Sequence, residues 1–76
     1  MSFRNDRLEI EMSSRDVSNS ELDKRLNVAP GMISKYVAGK RTPTVEQLCR
    51  FLRALGWTDD ELKQERFVDW YSLNGS

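Results

Sequence analysis

The stretch SNSELDKRLNVAPGMISKYVAG, residues 18–39, decides the fold. It opens with Ser18 and, three residues later, Glu21, which is the spacing of a capping box at the start of a helix. Two leucines follow, four residues apart, on one helical face. Asn27 comes next, and asparagine tolerates the left-handed backbone that ends helices. The segment therefore predicts a helix of about two turns.

A second helix is predicted after a short turn. Proline suits the first helical position because its missing N–H would be unpaired there, so we expect this helix to begin near Ala29–Pro30. Ile33, with Tyr36 or Val37, supplies the apolar face, and Gly39 ends the helix. Two short helices joined by a turn of about three or four residues form a helix-turn-helix.

Cap signals continue on the C-terminal side of this unit. A basic loop, Lys40–Pro43, leads to Thr44, which caps a helix with Gln47 three residues further on. Apolar residues then recur at helical spacing until Gly56 ends the helix. The apolar residues are Val45, Leu48, Leu52 and Leu55.

Both ends of the chain are predicted to be helical. Thr58 or Asp59 opens a last helix, with acids in its first turn, which we expect to reach about Ser72. Near the start, apolar residues alternate with acids over 8–12 as in a strand. A strand without a partner is unstable, so we expect a helix over about 3–13. The prediction is an all-α domain of five helices, with the helix-turn-helix as the second and third.

Length and composition narrow the class of protein. The 76 residues form one domain (1–76), with a core over 17–56 and a C-terminal helix over 57–76. A single cysteine, Cys49, excludes an internal disulfide, and the absence of histidine excludes a Cys/His zinc site and a histidine-based catalytic relay. We expect no cofactor, no metal and no enzymatic activity. Without a long apolar run or a signal peptide's apolar segment, we expect no membrane contact and a cytoplasmic location.

Charge is segregated along a chain whose net charge is zero. Between Lys24 and Arg53 there are seven basic residues and one acid, Glu46, for a net +6. From Asp59 onward there are five acidic and two basic residues, for a net −3. A basic middle can meet phosphate groups, although ordinary solvated helix faces are the alternative explanation.

Residues 17–43 resemble the phage-repressor family, the Cro/repressor or xenobiotic-response-element helix-turn-helix proteins. That family's pattern reads approximately L-S-x-x-E-L-A-x-x-L-G-V-S-x-x-x-I-S-x-W-E-x-G-K-R-x-P, and the following helix extends the match to Leu55–Gly56. The resemblance implies a compact lambda-repressor-like DNA-binding domain. The residues at matching spacing are Leu22, Leu26, Val28, Ile33, Gly39 and Pro43.

Three residues depart from the family pattern. Asp23 stands where the family has alanine, at the crossing of the two helices, and would strain their packing unless it caps the second helix or pairs with a cation. Asn27 replaces glycine at little cost. Val37 replaces a glutamate and loses a polar contact to the following loop.

By resemblance, the helix over 30–38 is the recognition helix that enters the major groove of DNA. Its base-reading residues would be Pro30, Gly31, Met32, Ser34 and Lys35. Lys35 can donate to guanine O6 and N7, with a phosphate contact as the alternative. Met32 can touch a thymine methyl group, with core packing as the alternative. This set lacks the Arg, Gln and Asn side chains that read bases best, so we expect modest specificity or reliance on DNA shape and dimer spacing.

The resemblance also implies four contacts to DNA phosphates. They are Asn19, Tyr36, Lys40 and Arg41. Asn19 lies in the first turn of the preceding helix, where a polar side chain and the helix N-terminus can hold a phosphate, or where the residue simply supports the cap. For Tyr36 the alternative is a position in the core.

Aromatic residues crowd the C-terminal segment. Phe67, Trp70 and Tyr71 exceed what so small a core needs, and aromatic side chains are enriched at interfaces. We expect them to form a homodimer interface that sets two recognition helices about 34 Å apart. The alternative is that these rings complete the core of the monomer.

Two functions fit these features. The first is a dimeric regulator that binds double-stranded DNA, of bacterial, phage or plasmid origin, and represses by occupying a promoter. The second is a protein-interaction module of the same fold, such as an antitoxin whose C-terminal aromatic residues hold a protein partner.

Overall fold

Five helices follow one another in the predicted order, and the two ends of the chain meet in a short ribbon. The computed structural model describes residues 2–72. The helices are α1 Asn5–Ser14, α2 Asn19–Leu26, α3 Met32–Val37, α4 Val45–Ala54 and α5 Asp59–Gln64. After α5 come a 3₁₀ helix, Phe67–Trp70, and a strand, β2 Tyr71–Ser72, which pairs antiparallel with β1 Ser2–Phe3. The fold class of the prediction, a mostly helical domain with five helices, is confirmed.

Most helix ends lie where the cap signals placed them. Ser18 Oγ accepts from the backbone N–H of Glu21 at 3.2 Å, and Asn27 ends α2 in the left-handed conformation. Thr44 starts α4 and Thr58 starts α5, each with a complete capping box. The backbone N–H of Thr58 donates to Glu61 Oε1 at 2.9 Å, and this bond lowers the pKa of the Glu61 carboxyl.

The prediction for the start of α3 was wrong by about one half-turn. Pro30 and Gly31 lie in the turn before the helix, which begins at Met32. Gly31 is the N-cap with φ of +90°, a left-handed conformation that a side chain makes costly. Because the chain reverses here, Pro30 does not occupy the first helical position.

The prediction of a last helix reaching Ser72 was also wrong. At Glu65 the backbone turns extended, with ψ of 137°, and α5 has already ended at Gln64. The 3₁₀ helix then brings Trp70 into the core, and Phe3 pairs with Tyr71 in the ribbon. The burial of Trp70 and the hydrogen bonds of the ribbon replace the stabilisation that a continued helix would have provided.

Near the N-terminus the helical prediction is confirmed. Leu8 and Met12 are buried on one face of α1, whereas Ile10 points away and is 65% exposed. A strand would have put all three on one side, because successive strand side chains alternate between faces. The core joins all five helices and the ribbon. Its buried apolar residues are Phe3, Leu8, Met12, Val17, Leu22, Ile33, Tyr36, Leu48, Phe51, Leu52, Leu55, Leu62 and Trp70.

Candidate nucleic-acid interface

The helix-turn-helix consists of α2, a turn over 27–31, and α3. Asn27 has φ of 56° and ψ of 44°, and the N–H of Val28 returns to the carbonyl oxygen of Asp23 at 3.1 Å. These features stop α2 and direct the chain into α3 without a helix-breaking glycine at position 27. Local hydrogen bonds therefore shape the start of the turn.

Asp23 joins the two helices of this unit. Its side chain is only 4% exposed, and it accepts from the backbone N–H of Gly31 and of Ile33, both at 2.9 Å. The first N–H groups of a helix have no partner within the helix, so a carboxylate here satisfies them and suits the positive end of the helix dipole. Of the two ways in which the sequence could accommodate Asp23, capping of α3 is the one observed. A buried charge thus replaces the family's alanine without a steric conflict.

The turn before α3 and the outer side of α3 carry most of the predicted base-reading set. Pro30, Gly31 and Lys35 are exposed, while Ile33 and Tyr36 face the core. Ser34 is half-buried, and its hydroxyl donates to the carbonyl oxygen of Gly31 at 2.8 Å.

Met32 lies at the edge of α3, half-buried, and lines a shallow groove between α3 and α4. Gln47 and Arg50 of α4 form the other wall of this groove. Arg50 is exposed and belongs to the basic middle of the chain, but no role was predicted for it from the sequence. Only the charge count of the basic middle pointed to it.

The predicted phosphate contacts divide into surface and core. Lys40 and Arg41 are exposed in the loop between α3 and α4, and Asn19 is half-buried at the first residue of α2. Tyr36 is 4% exposed, and its ring meets Phe51 edge-on at 5.1 Å between centroids. The structure therefore puts the ring of Tyr36 in the core, which was the alternative for this residue. Arg41 lies over the same ring at 6.0 Å, so Tyr36 supports a basic side chain.

The basic residues differ in how they are engaged. Arg25 pairs with Glu21 at 3.4 Å and Arg53 with Asp59 at 3.0 Å. Within residues 2–72, no ion pair involves the remaining cations of this region. They are Lys24, Lys35, Lys40, Arg41 and Arg50. Positive charge on α3, on the following loop and on α4 therefore remains available to an anionic partner.

The C-terminal aromatic residues do not share one surface. Trp70 is 1% exposed, and its Nε1 donates to Glu65 Oε2 at 2.7 Å, so it belongs to the monomer core and offers no area to a partner. The prediction that Trp70 lies in a dimer interface was wrong, because Phe3, Trp57 and Arg7 enclose its ring.

The other two aromatic residues line an apolar patch at the surface. Phe67 and Tyr71 are half-buried, and beside them Val45 and Val68 are 48% and 54% exposed. We call this surface the C-terminal patch. Its lining residues are Thr42, Pro43, Thr44, Val45, Phe67, Val68 and Tyr71.

Residues 2–72 contain no cluster of three or more His, Cys, Asp or Glu side chains that could hold a metal ion. None of the helices over this range is long and apolar enough to cross a membrane.

Comparison with known families agrees with this geometry. The family model of the Cro/C1-type helix-turn-helix proteins, the xenobiotic-response-element family, matches residues 10–62. This range contains α2, α3 and α4 completely and covers more than half of the chain. Comparison with curated proteins and with solved structures gave no match. The protein belongs to the Cro/C1-type helix-turn-helix family of DNA-binding regulators.

Proposed function

We propose that this regulator reads a duplex DNA operator as a homodimer and represses transcription by occupying promoter DNA. The observation that carries the proposal is the outer side of α3. Lys35 is exposed there, without an ion pair in the described residues, next to Gly31, whose lack of a side chain permits close approach to a base edge.

Phosphate contacts on both sides of α3 would set its position in the major groove. Asn19 lies at the N-terminus of α2, where backbone N–H groups and the helix dipole favour an anion. Lys40 and Arg41 extend from the loop after α3. Each phosphate that these groups neutralise would steepen the dependence of log affinity on log salt by about 0.9.

Few side chains are available for direct reading of bases. Lys35 is the one long cation on the outer face of α3, and the hydroxyl of Ser34 is already engaged with Gly31. We therefore expect moderate discrimination by α3 alone, with half-site spacing and DNA shape supplying the rest.

The C-terminal patch is the surface that supports a homodimer. Its exposed valines, Val45 and Val68, are apolar. Arg66 and Asp69, which flank Phe67 and Val68 in the sequence, supply charges of both signs and pair at 3.6 Å. A two-fold interface brings the same patch of both copies together, and a border of mixed charge suits such self-pairing. The same patch could instead hold a different protein, which would make the chain an interaction module such as an antitoxin.

Selection from a pool of random duplex DNA at physiological salt tests the function. An enriched inverted repeat, with half-sites about 34 Å apart, is the expected result. Lys35→Ala should weaken binding to the selected site by about 1–3 kcal/mol if Lys35 reads a base, and equally on all DNA if it contacts phosphate. Lys63→Ala, on the exposed surface of α5, is the matched control. A pool without enrichment would contradict sequence-specific regulation.

The oligomeric state is tested by sedimentation. Val68→Asp should convert the dimer to a monomer, because it places a charge in an apolar interface. Ile10→Asp changes an aliphatic residue on α1 that is even more exposed, and should leave the dimer intact. A monomeric unmodified protein would refute the homodimer. Association through Val68 with a different protein would favour the interaction module.

A further inference from the structure

The loop between α3 and α4 is held at both of its ends by side chains from the chain termini. Asn5 Nδ2 donates to the carbonyl oxygen of Val37, the last residue of α3, at 2.7 Å. The hydroxyl of Tyr71 donates to the carbonyl oxygen of Pro43, which directly precedes the cap of α4, at 2.8 Å. Both bonds join parts of the chain that are distant in sequence, 32 and 28 residues apart.

The two donors are themselves connected by the terminal ribbon. Phe3 pairs with Tyr71, and their rings lie 5.7 Å apart between centroids. The backbone N–H of Arg4, between Phe3 and Asn5, donates to the carbonyl oxygen of Trp70 at 2.7 Å. A change in the ribbon would therefore reach both ends of the loop together.

Between these two anchors lie the basic residues Lys40 and Arg41. Local bonds shape the start of the loop, since Gly39 takes a φ of +78° and the N–H of Lys40 returns to the carbonyl oxygen of Lys35 at 2.9 Å. Fixing a backbone residue costs on the order of 1–2 kcal/mol of conformational entropy. A loop that is ordered before DNA arrives does not lose that entropy on binding, and so binds more tightly.

We propose that Asn5 and Tyr71 are positioning residues for DNA binding, which hold the loop so that Lys40 and Arg41 meet the phosphate backbone. The inference rests on the proposed function, because it concerns how the same interface engages DNA. Burial raises the pKa of the Tyr71 hydroxyl, so this group remains protonated and able to donate at neutral pH.

Two conservative variants separate positioning from folding. Tyr71→Phe removes one hydroxyl and keeps the ring in the ribbon and in the C-terminal patch, and Asn5→Ala removes the other donor. The control is Arg15→Lys, which keeps the charge and removes a part-buried bond outside the ribbon, from Arg15 Nη1 to the carbonyl oxygen of Leu55 at 3.2 Å. Thermal unfolding and sedimentation of each variant establish that the measurements are made on folded protein of the same oligomeric state.

The readouts are affinity for a selected duplex and its salt dependence. Each positioning variant should bind about 3- to 10-fold more weakly, the range expected for one net hydrogen bond, and should have a shallower salt slope. Arg15→Lys should change neither. In a double-mutant cycle, Lys40→Ala should cost less in the Tyr71→Phe background than in the unmodified protein, because the lysine is already misplaced.

Each of the other possible results contradicts either the positioning role or the proposed function. Unchanged affinity and slope in both variants would overturn the positioning role and leave the proposed function intact. An equal loss of affinity in Arg15→Lys would mean that the loss reflects lower overall stability, and would overturn the positioning role as well. Failure of the unmodified protein to bind any duplex would overturn the proposed function, and the positioning role with it.

Discussion

The helix-turn-helix and the terminal ribbon are built from contacts of very different range. In the helix-turn-helix, Asp23 binds residues that are 8 and 10 positions further along the chain. In the ribbon, Phe3 pairs with Tyr71, and Arg7 donates to the carbonyl oxygen of Asp69 across 62 positions. The first region is specified by neighbouring residues, whereas the second exists only once the chain has folded around it. The helix-turn-helix, which the family pattern describes, is therefore stabilised by the terminal ribbon, which lies outside that pattern.

The strongest test of this comparison is to remove the side chain of Trp70, the buried residue that directly precedes β2 of the ribbon. Trp70→Ala should lower the free energy of unfolding by about 3–5 kcal/mol, because a fully buried tryptophan leaves a large cavity. Chemical denaturation measures the loss, and Trp57→Phe, at a half-buried ring, should cost less.

Hydrogen exchange on Trp70→Ala shows how far the effect spreads. We expect amide protection in α3 to fall together with that in the ribbon, as in one cooperative unit. Unchanged protection in α3 would mean that the helix-turn-helix folds independently of the chain ends.

The next largest effect is expected in the helix-turn-helix, the region that is held by short-range contacts. Asp23→Ala should lower the free energy of unfolding by about 3 kcal/mol, because two backbone N–H groups at the start of α3 lose a charged acceptor. Chemical denaturation checks it, with Glu9→Ala, an exposed carboxylate in the middle of α1, as the control. Equal stability of the two variants would show that the cap of α3 contributes little.

Much of the fold could be predicted because its signals are local. Thr44 and Thr58 each have a partner three residues on, and both capping boxes form as the spacing indicates. The end of the last helix could not be predicted in this way. Between Glu65 and Tyr71 the sequence is compatible with a helix, and the competing state depends on Phe3, which lies at the other end of the chain.

Prediction of the candidate site follows the same division. The exposure of Lys35 follows from the helical period that buries Ile33. The anchors of the basic loop, Asn5 and Tyr71, were not predicted for that role, because nothing near either residue in the sequence points to a loop 28 or 32 positions away. Trp70 was misplaced for a related reason, since composition alone does not say which aromatic ring the core encloses.

A smaller effect is expected at the turn between α2 and α3. Asn27→Ala should lower the free energy of unfolding by about 1 kcal/mol, because a left-handed backbone is costly for a residue with a β-carbon and no polar group to compensate. Asn27→Gly, the residue of the family pattern, should be at least as stable as the unmodified protein. Thermal unfolding of the two variants measures these differences in stability. An alanine variant of unchanged stability would show that the turn tolerates another backbone geometry.

The smallest effect is a pH dependence at the joint between the ribbon and the basic loop. Burial, followed by the nearby Cys49, raises the pKa of Tyr71 above its ordinary value of 10.0, so the folded protein holds this proton more tightly than the unfolded chain. The resulting stabilisation is complete below about pH 10, where both states are protonated, and is lost as the pH rises through the pKa of the folded state.

Comparison with Tyr71→Phe isolates this contribution, because every other titrating group is common to both proteins. The unmodified protein should be the more stable of the two at neutral pH and should lose that advantage above about pH 10, as measured by chemical denaturation at stepped pH. Parallel stability curves through the alkaline range would mean that the hydroxyl of Tyr71 is equally solvated in both states, which would contradict its burial in the folded protein.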